Sequence, residues 1–170
     1  MEKEILISRE RIRERVKDLA RQISSDYEGK SPLLIGILKG SVFFFADLVR
    51  EISIPVDIDF IGASSYGSQM ESSGKIRLTK QVDSLLCARP VILVEDIVDT
   101  GLTLTHLVKT IESNSPESIK ICALIDKLER RERTVCVDYC GFQIEKGFIV
   151  GYGLDYNEKY RQLPDIYIIK

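Results

Sequence analysis

The chain has 170 residues, 44% of them hydrophobic and 29% charged, with a formal net charge of −2. That is enough for one domain with a sizeable core, and too little charge for bulk attraction to nucleic acid or an anionic membrane surface. No apolar run approaches the roughly 18 residues of a membrane span, and MEKEILISRERIRERV lacks the apolar stretch of a secretory leader, so a cytoplasmic protein without membrane or nucleic-acid partners is expected.

Residues 8 to 27 predict an amphipathic helix: Ile12, Val16, Leu19, Ala20, Ile23 and Tyr27 form one stripe, with Ser8 placed to cap it. In SPLLIGILKGS the apolar run Leu33 to Leu38 reads as a buried strand ending in Lys39-Gly40-Ser41. VFFFADLVREI then resumes a helical period. IPVDIDFIGASSYGS alternates into a strand that breaks into small residues from Ser64, and KIRLTKQV is a further short strand. A strand at 90 to 95 leads into a helix from about Leu102 to Ser113, closed by SNSP, and the strand IKICALIDK follows. LERRERT is a polar run. GFIVGYGLDYNEKYRQLPDIYIIK alternates strand-like stretches with a polar loop. Strands alternating with helices predict a single α/β domain, residues 1–170, with a parallel central sheet.

In such sheets ligands bind at the carboxyl ends of the strands. The residues just after each apolar run therefore matter most: Lys39 to Ser41, Ser64 to Tyr66, Glu95 to Thr103, Asp126-Lys127 and Gly153 to Asp155. They mix cations with anions, which suits a phosphate-bearing, metal-assisted substrate. The cysteines Cys87, Cys122, Cys136 and Cys140 lie in or beside apolar stretches and are expected to be reduced core thiols. A zinc site finds no support, because no second ligand pair follows Cys136 and Cys140. EGKS at 28 to 31 is no phosphate loop, since Ser24 stands where that pattern needs glycine. DIVDT is no aspartyl-phosphate signature, since two residues separate Asp96 from Asp99.

VILVEDIVDTGLTLTHL, residues 91 to 107, places three acids, two threonines and a glycine within nine positions, at the passage from strand to helix. Gly101 permits close backbone approach, and Thr100 and Thr103 offer hydroxyls. The N–H groups opening the helix carry the positive end of its dipole, so a monoester phosphate fits. Glu95 and Asp96 beside it can accept hydrogen bonds from sugar hydroxyls or hold a hydrated Mg²⁺.

VILVEDIVDTGLT closely resembles the phosphoribosyl-pyrophosphate signature of the type I phosphoribosyltransferases. LLIGILKGSVFFFADLVR, GASSYG, CALIDK and GFIVGYGLDYNEKYRQLPDIY resemble, in the same order, the hypoxanthine(-guanine) phosphoribosyltransferases. The resemblance implies that family's fold, with a small hood made by the N-terminal and C-terminal segments. It implies purine salvage: transfer of the 5-phosphoribosyl group from its pyrophosphate to N9 of a 6-oxopurine. Asp99, Thr100, Gly101, Leu102 and Thr103 would cradle the 5′-phosphate, and Glu95 and Asp96 would lie under the ribose hydroxyls. Asp99 would face N7 of the purine as the acid-base group. Lys39, Gly40 and Arg161 would hold pyrophosphate, with a non-proline cis peptide between Leu38 and Lys39. Asp155 would coordinate Mg²⁺, with Glu95 and Asp96 as further metal candidates.

For the base, the resemblance assigns Lys127 to the exocyclic O6, where an ammonium can only donate. Phe148 would stack on the purine, with Ile149 beside its 2-position edge. Taken alone, Phe148 and Ile149 read as core residues and Lys127 as a solvated lysine. Ser65 and Tyr66 would begin a mobile lid reaching Lys80. Leu102 departs from relatives that carry lysine there, which a backbone cradle tolerates. A homodimer or homotetramer is implied. The competing readings are a regulator that keeps the pocket as a sensor, an enzyme preferring xanthine, and a phosphoacceptor receiver domain. The short, slightly acidic chain and the late arrival of its acid pair count against the first and last.

Overall fold

Leu33–Leu38 is apolar at every position, and a strand so uniform must be covered on both faces. The computed structural model, which describes residues 2–65 and 76–170, supplies that cover. In chain order the elements are β1 (Lys3–Ile7), α1 (Arg9–Asp26), β2 (Leu33–Leu38), α2 (Val42–Glu51), β3 (Asp57–Ser65), β4 (Ile76–Lys80), β5 (Pro90–Val98), α3 (Leu102–Glu112), β6 (Ser118–Lys127), β7 (Tyr139–Ile144), β8 (Phe148–Val150) and β9 (Ile166–Ile169). Six strands form one sheet in the order β4-β3-β2-β5-β6-β7. All neighbours are parallel except β4, which joins β3 antiparallel, so the expected parallel sheet has one reversed edge strand.

Strand alternation divides the core in two. Leu34, Ile92, Val94, Cys122 and Leu124 face α1 and α2, meeting Val16, Leu19, Ile23, Phe44 and Leu48. Leu33, Ile35, Val91, Leu93, Ile121 and Ala123 face the other way, against Leu104, Leu107 and Ile111 of α3. The predicted stripe of α1 is the buried one, and the Ser8 hydroxyl accepts from the Arg11 N–H at its start. No helix among the described residues is long and apolar enough to cross a membrane.

Two strands were not expected. β1 is short and mostly exposed, and it becomes a strand by pairing antiparallel with β9, whose other edge takes β8. This small sheet joins the N-terminal and C-terminal segments. β7 carries Gly141 in its middle, packed so tightly on the Leu124 carbonyl that a Cβ there would collide with it. A third difference lies in β5, which runs to Val98 because β6 continues alongside, pairing Ile97 with Ile125 and Val98 with Asp126. The cysteines divide as well. Cys122 is buried and Cys140 partly so, but Cys87 and Cys136 are exposed, because they lie in connections outside the strands. Tyr66 lies outside the described residues, and Ser65 is the last residue of β3.

Asp59 on β3 anchors the connection between β4 and β5. Its carboxylate accepts from the N–H groups of Phe60 (2.7 Å), Asp83 (3.0 Å) and Ser84 (2.8 Å). Burial alone would raise its pKa, but these bonds and one from the Ser84 hydroxyl bring it to about 2. A depressed folded value adds stability above the unfolded pKa of about 4, and that stability is lost as pH falls through about 2. Asp59→Asn should therefore cost about 1–3 kcal/mol in urea unfolding at pH 7. The gap to the parent should close between pH 4 and pH 2. A gap unchanged down to pH 2 would contradict the anchoring role.

Candidate active site

The carboxyl ends of β2, β3 and β5 open into a cavity of about 700 Å³. Lys39 and Gly40 enter it after β2, Glu95 and Asp96 along β5, and Asp99, Thr100, Gly101 and Thr103 from the turn into α3. Arg161 and Glu158 close it from the C-terminal segment, and Lys80 reaches in from β4. Nine of the residues singled out in the sequence thus meet in one space. Leu102, Lys127, Phe148, Ile149 and Asp155 are not among its lining residues.

Gly101 takes the left-handed conformation (φ 83°) as the N-cap of α3, and a Cβ there would crowd the Arg133 carbonyl at 2.9 Å. The Thr100 hydroxyl accepts from the Leu102 N–H at 3.3 Å. Asp99 stands at the entrance to this cradle. Its Oδ2 lies 3.4 Å from the Arg130 guanidinium, whereas Oδ1 is buried with no hydrogen-bond partner among the described residues. A buried carboxylate oxygen left without a partner at a cavity wall has room to accept a hydrogen bond from a ligand.

Glu95 and Asp96 are successive residues of a strand, yet both serve the cavity because each carboxylate curls onto the next N–H: Glu95 on Asp96 (3.0 Å) and Asp96 on Ile97 (2.9 Å). Burial, then the charge and hydrogen bond of Asp96, push the Glu95 carboxyl well above the usual carboxylate range. A cation arriving there would reverse that balance. Among the described residues no three His, Cys, Asp or Glu side chains converge as a metal cage. Mg²⁺ needs no such cage, since one or two carboxylates and substrate phosphates commonly complete its shell. The hard oxygen donors of Glu95 and Asp96 fit that requirement. Asp155 stands apart from them, one ion pair away, 3.3 Å from Arg161.

The bond between Leu38 and Lys39 is cis, as the resemblance implied. The loop it begins is clamped on both sides. A Cβ on Gly40 would collide with the Asp96 carboxylate, and one on Gly153 would collide with the Gly40 carbonyl. Gly153 (φ 100°) is held in turn by Arg161, whose carbonyl accepts the Gly153 N–H at 2.9 Å and whose guanidinium donates to the Gly153 carbonyl at 2.7 Å. Lys39 pairs with Glu158 at 2.9 Å, and Glu158 with Arg161 at 3.4 Å.

Lys127 ends β6 and is only 6% exposed, so it is no solvated lysine. Its ammonium lies 3.4 Å from Glu129, whose carboxylate also accepts the Gly147 N–H at 3.1 Å. That second bond brings the Gly147-Phe148 turn beside Lys127. Phe148 is 48% exposed and forms a T-shaped pair with Tyr156 at 5.5 Å, whereas Ile149 is buried. Glu129 thus links the buried Lys127 to the turn that carries the exposed ring.

The phosphoribosyl transferase domain profile matches residues 3–157. The chain belongs to the phosphoribosyltransferase family, in its hypoxanthine-guanine branch. It is 42% identical over 166 residues to the hypoxanthine-guanine phosphoribosyltransferase of Bacillus subtilis strain 168, covering 98% of this chain and 92% of that protein. The Streptococcus thermophilus (strain CNRZ 1066) protein of the same name is 44% identical over 168 residues, covering 99% of this chain and 93% of that one. A crystal structure of a hypoxanthine-guanine phosphoribosyltransferase from Bacillus anthracis superposes with a TM-score of 0.93 at 49% identity, covering 98% of both chains.

The family motifs do not point to Arg131, which lies in the polar run LERRERT. Its guanidinium pairs with Asp126 and donates to the carbonyls of Val98 (3.1 Å), Asp99 (2.9 Å) and Lys127 (3.2 Å). Nothing in the periodicity of that stretch separates it from Arg130 or Arg133.

Gly153→Ala should lose about 1–3 kcal/mol, from a strained φ and the collision with Gly40. Its thermal midpoint should fall by several degrees. An unchanged midpoint would show that the two segments are not in close contact.

Proposed function

We propose that the chain catalyses magnesium-dependent transfer of the 5-phosphoribosyl group from 5-phosphoribosyl pyrophosphate to N9 of hypoxanthine and guanine, giving IMP or GMP and pyrophosphate. One observation carries the reading. A helix-start anion cradle, a lysine-glycine loop with an arginine behind it, and two adjacent carboxylates share a single cavity at the strand ends.

In this reading the N–H groups of Thr100 to Thr103 bind the 5′-phosphate, and Glu95 and Asp96 accept from the ribose hydroxyls. Lys39, the Gly40 backbone and Arg161 receive the pyrophosphate as the C1′–O bond breaks. Charge neutralisation on that leaving group is what Mg²⁺ supplies when bound, with Glu95, Asp96 and Asp155 as its candidate carboxylates. N9 of the base forms the new bond to C1′, and Asp99 takes the proton released at N7. Lys127 donates to O6, Phe148 stacks on the ring and the Ile149 carbonyl meets its 2-position edge. A 6-amino group offers hydrogens where Lys127 also offers hydrogens, so adenine is disfavoured.

Residues 1–170 form one domain, in keeping with a core cluster that runs from Leu34 and Ile92 of the large sheet to Ile7, Ile149 and Ile166 of the small one. The enzyme works in the cytoplasm, in keeping with four unpaired cysteines, and as a homodimer or homotetramer.

The purified protein, given 5-phosphoribosyl pyrophosphate and Mg²⁺, should form nucleotide from hypoxanthine or guanine, leave adenine untouched and stop in EDTA. Binding of the phosphoribosyl donor without turnover of any base would instead make the chain a sensor. Turnover of xanthine alone would move the substrate assignment to that base.

A further inference from the structure

The ladder between β5 and β6 ends at the pair Val98 and Asp126. Beyond it the two strands part, and each carries one of the groups assigned to the base, Asp99 after β5 and Lys127 on β6. The distance between a proton acceptor at N7 and a proton donor at O6 must match one purine ring. Backbone pairing cannot set that distance once the ladder has ended.

One guanidinium spans the gap. Arg131 donates through Nε to the Asp99 carbonyl at 2.9 Å, and through Nη2 to the carbonyls of Val98 (3.1 Å) and Lys127 (3.2 Å) and to the Asp126 carboxylate. Its side chain is 17% exposed, so little water competes for these bonds. The rigid fork places Nε on the Asp99 carbonyl and Nη2 on Val98 and Lys127 at a fixed spacing, which a lysine ammonium does not reproduce. The loop that carries Arg131 has its own anchors, the Glu132 and Arg133 N–H groups on the Thr100 carbonyl at 2.9 and 3.0 Å. Loss of the guanidinium therefore leaves these loop anchors in place and releases the cross-strand tie together with the Asp126 carboxylate.

We propose that Arg131 is a positioning residue that fixes Asp99 relative to Lys127, so that O6 recognition and proton transfer at N7 occur in one pose of the base. The assignment rests on the function proposed above. Asp99 is held from two directions, its carbonyl by Arg131 and its carboxylate by Arg130 at 3.4 Å. Lys127 is likewise held, its carbonyl by Arg131 and its ammonium by Glu129. Misplacement of reacting groups by about 1 Å costs on the order of 100-fold in rate while leaving remote binding intact. The signature of the tie is therefore a split between turnover and affinity for the phosphoribosyl donor.

Arg131→Lys, which keeps charge without the fork, and Arg131→Gln are compared with the parent in the full chain with Mg²⁺. For both variants kcat with hypoxanthine should fall tenfold or more, and the Kd for 5-phosphoribosyl pyrophosphate should stay within threefold of the parent. Unchanged kcat, or kcat and affinity falling together, overturns the proposal. If neither variant folds, Asp126→Asn decides, because it removes the anion that aims Arg131: the same split supports the tie and unaltered kcat refutes it. A parent protein that forms no nucleotide defeats the functional reading itself, a result distinct from an active parent with unaffected variants.

Discussion

Two glycines are approached more closely than any Cβ would allow, and the rest of the site is arranged around those contacts. The Asp96 carboxylate lies against Gly40, and the Gly40 carbonyl against Gly153. Through these contacts the end of β2, the end of β5 and the C-terminal segment, which are remote in sequence, become one wall of the cavity. Arg161 fastens the outer layer by bonding both the N–H and the carbonyl of Gly153. The same arginine faces Asp155 and Glu158, so the clamp and the cation that would meet pyrophosphate are one residue. A side chain added at either glycine would push these three segments apart.

The opposite wall is held by hydrogen bonds. The loop after β6 places two N–H groups on the Thr100 carbonyl and the Arg131 fork across the ends of β5 and β6. Charge is distributed to suit a substrate with an anionic end and a neutral ring. Lys39, Lys80 and Arg161 line the cavity together with Glu95 and Asp96. Apart from them lie the buried Lys127 and the exposed Phe148. Glu129 joins the two by bonding the Lys127 ammonium and the Gly147 N–H that precedes Phe148.

Much of this was legible in the chain itself. Uniform apolar runs at Leu33–Leu38 and around Ile92 and Leu124 announce strands buried on two faces, and the stripe of α1 announces its buried side. The acids and threonines between Glu95 and Thr103 are dense enough to mark a site without any structure. What escaped depends on partners distant in sequence. β1 is a strand only because β9 lies beside it, and β5 runs three residues past Glu95 only because β6 runs beside it. Lys127 has the letters of a surface residue and the burial of a core one. Arg131 is one of three arginines within four positions, and only the geometry of two strand ends distinguishes it.

The assignment of Asp99 as the group that exchanges the N7 proton is what joins cradle, ribose floor and base wall into one reaction. Asp99→Asn preserves the shape of the cradle and removes the basic carboxylate. With hypoxanthine, turnover should fall by at least about 100-fold while affinity for 5-phosphoribosyl pyrophosphate changes little. Turnover equal to the parent's would contradict the assignment, and the cavity would then bind its substrates without this acid taking part in the chemistry.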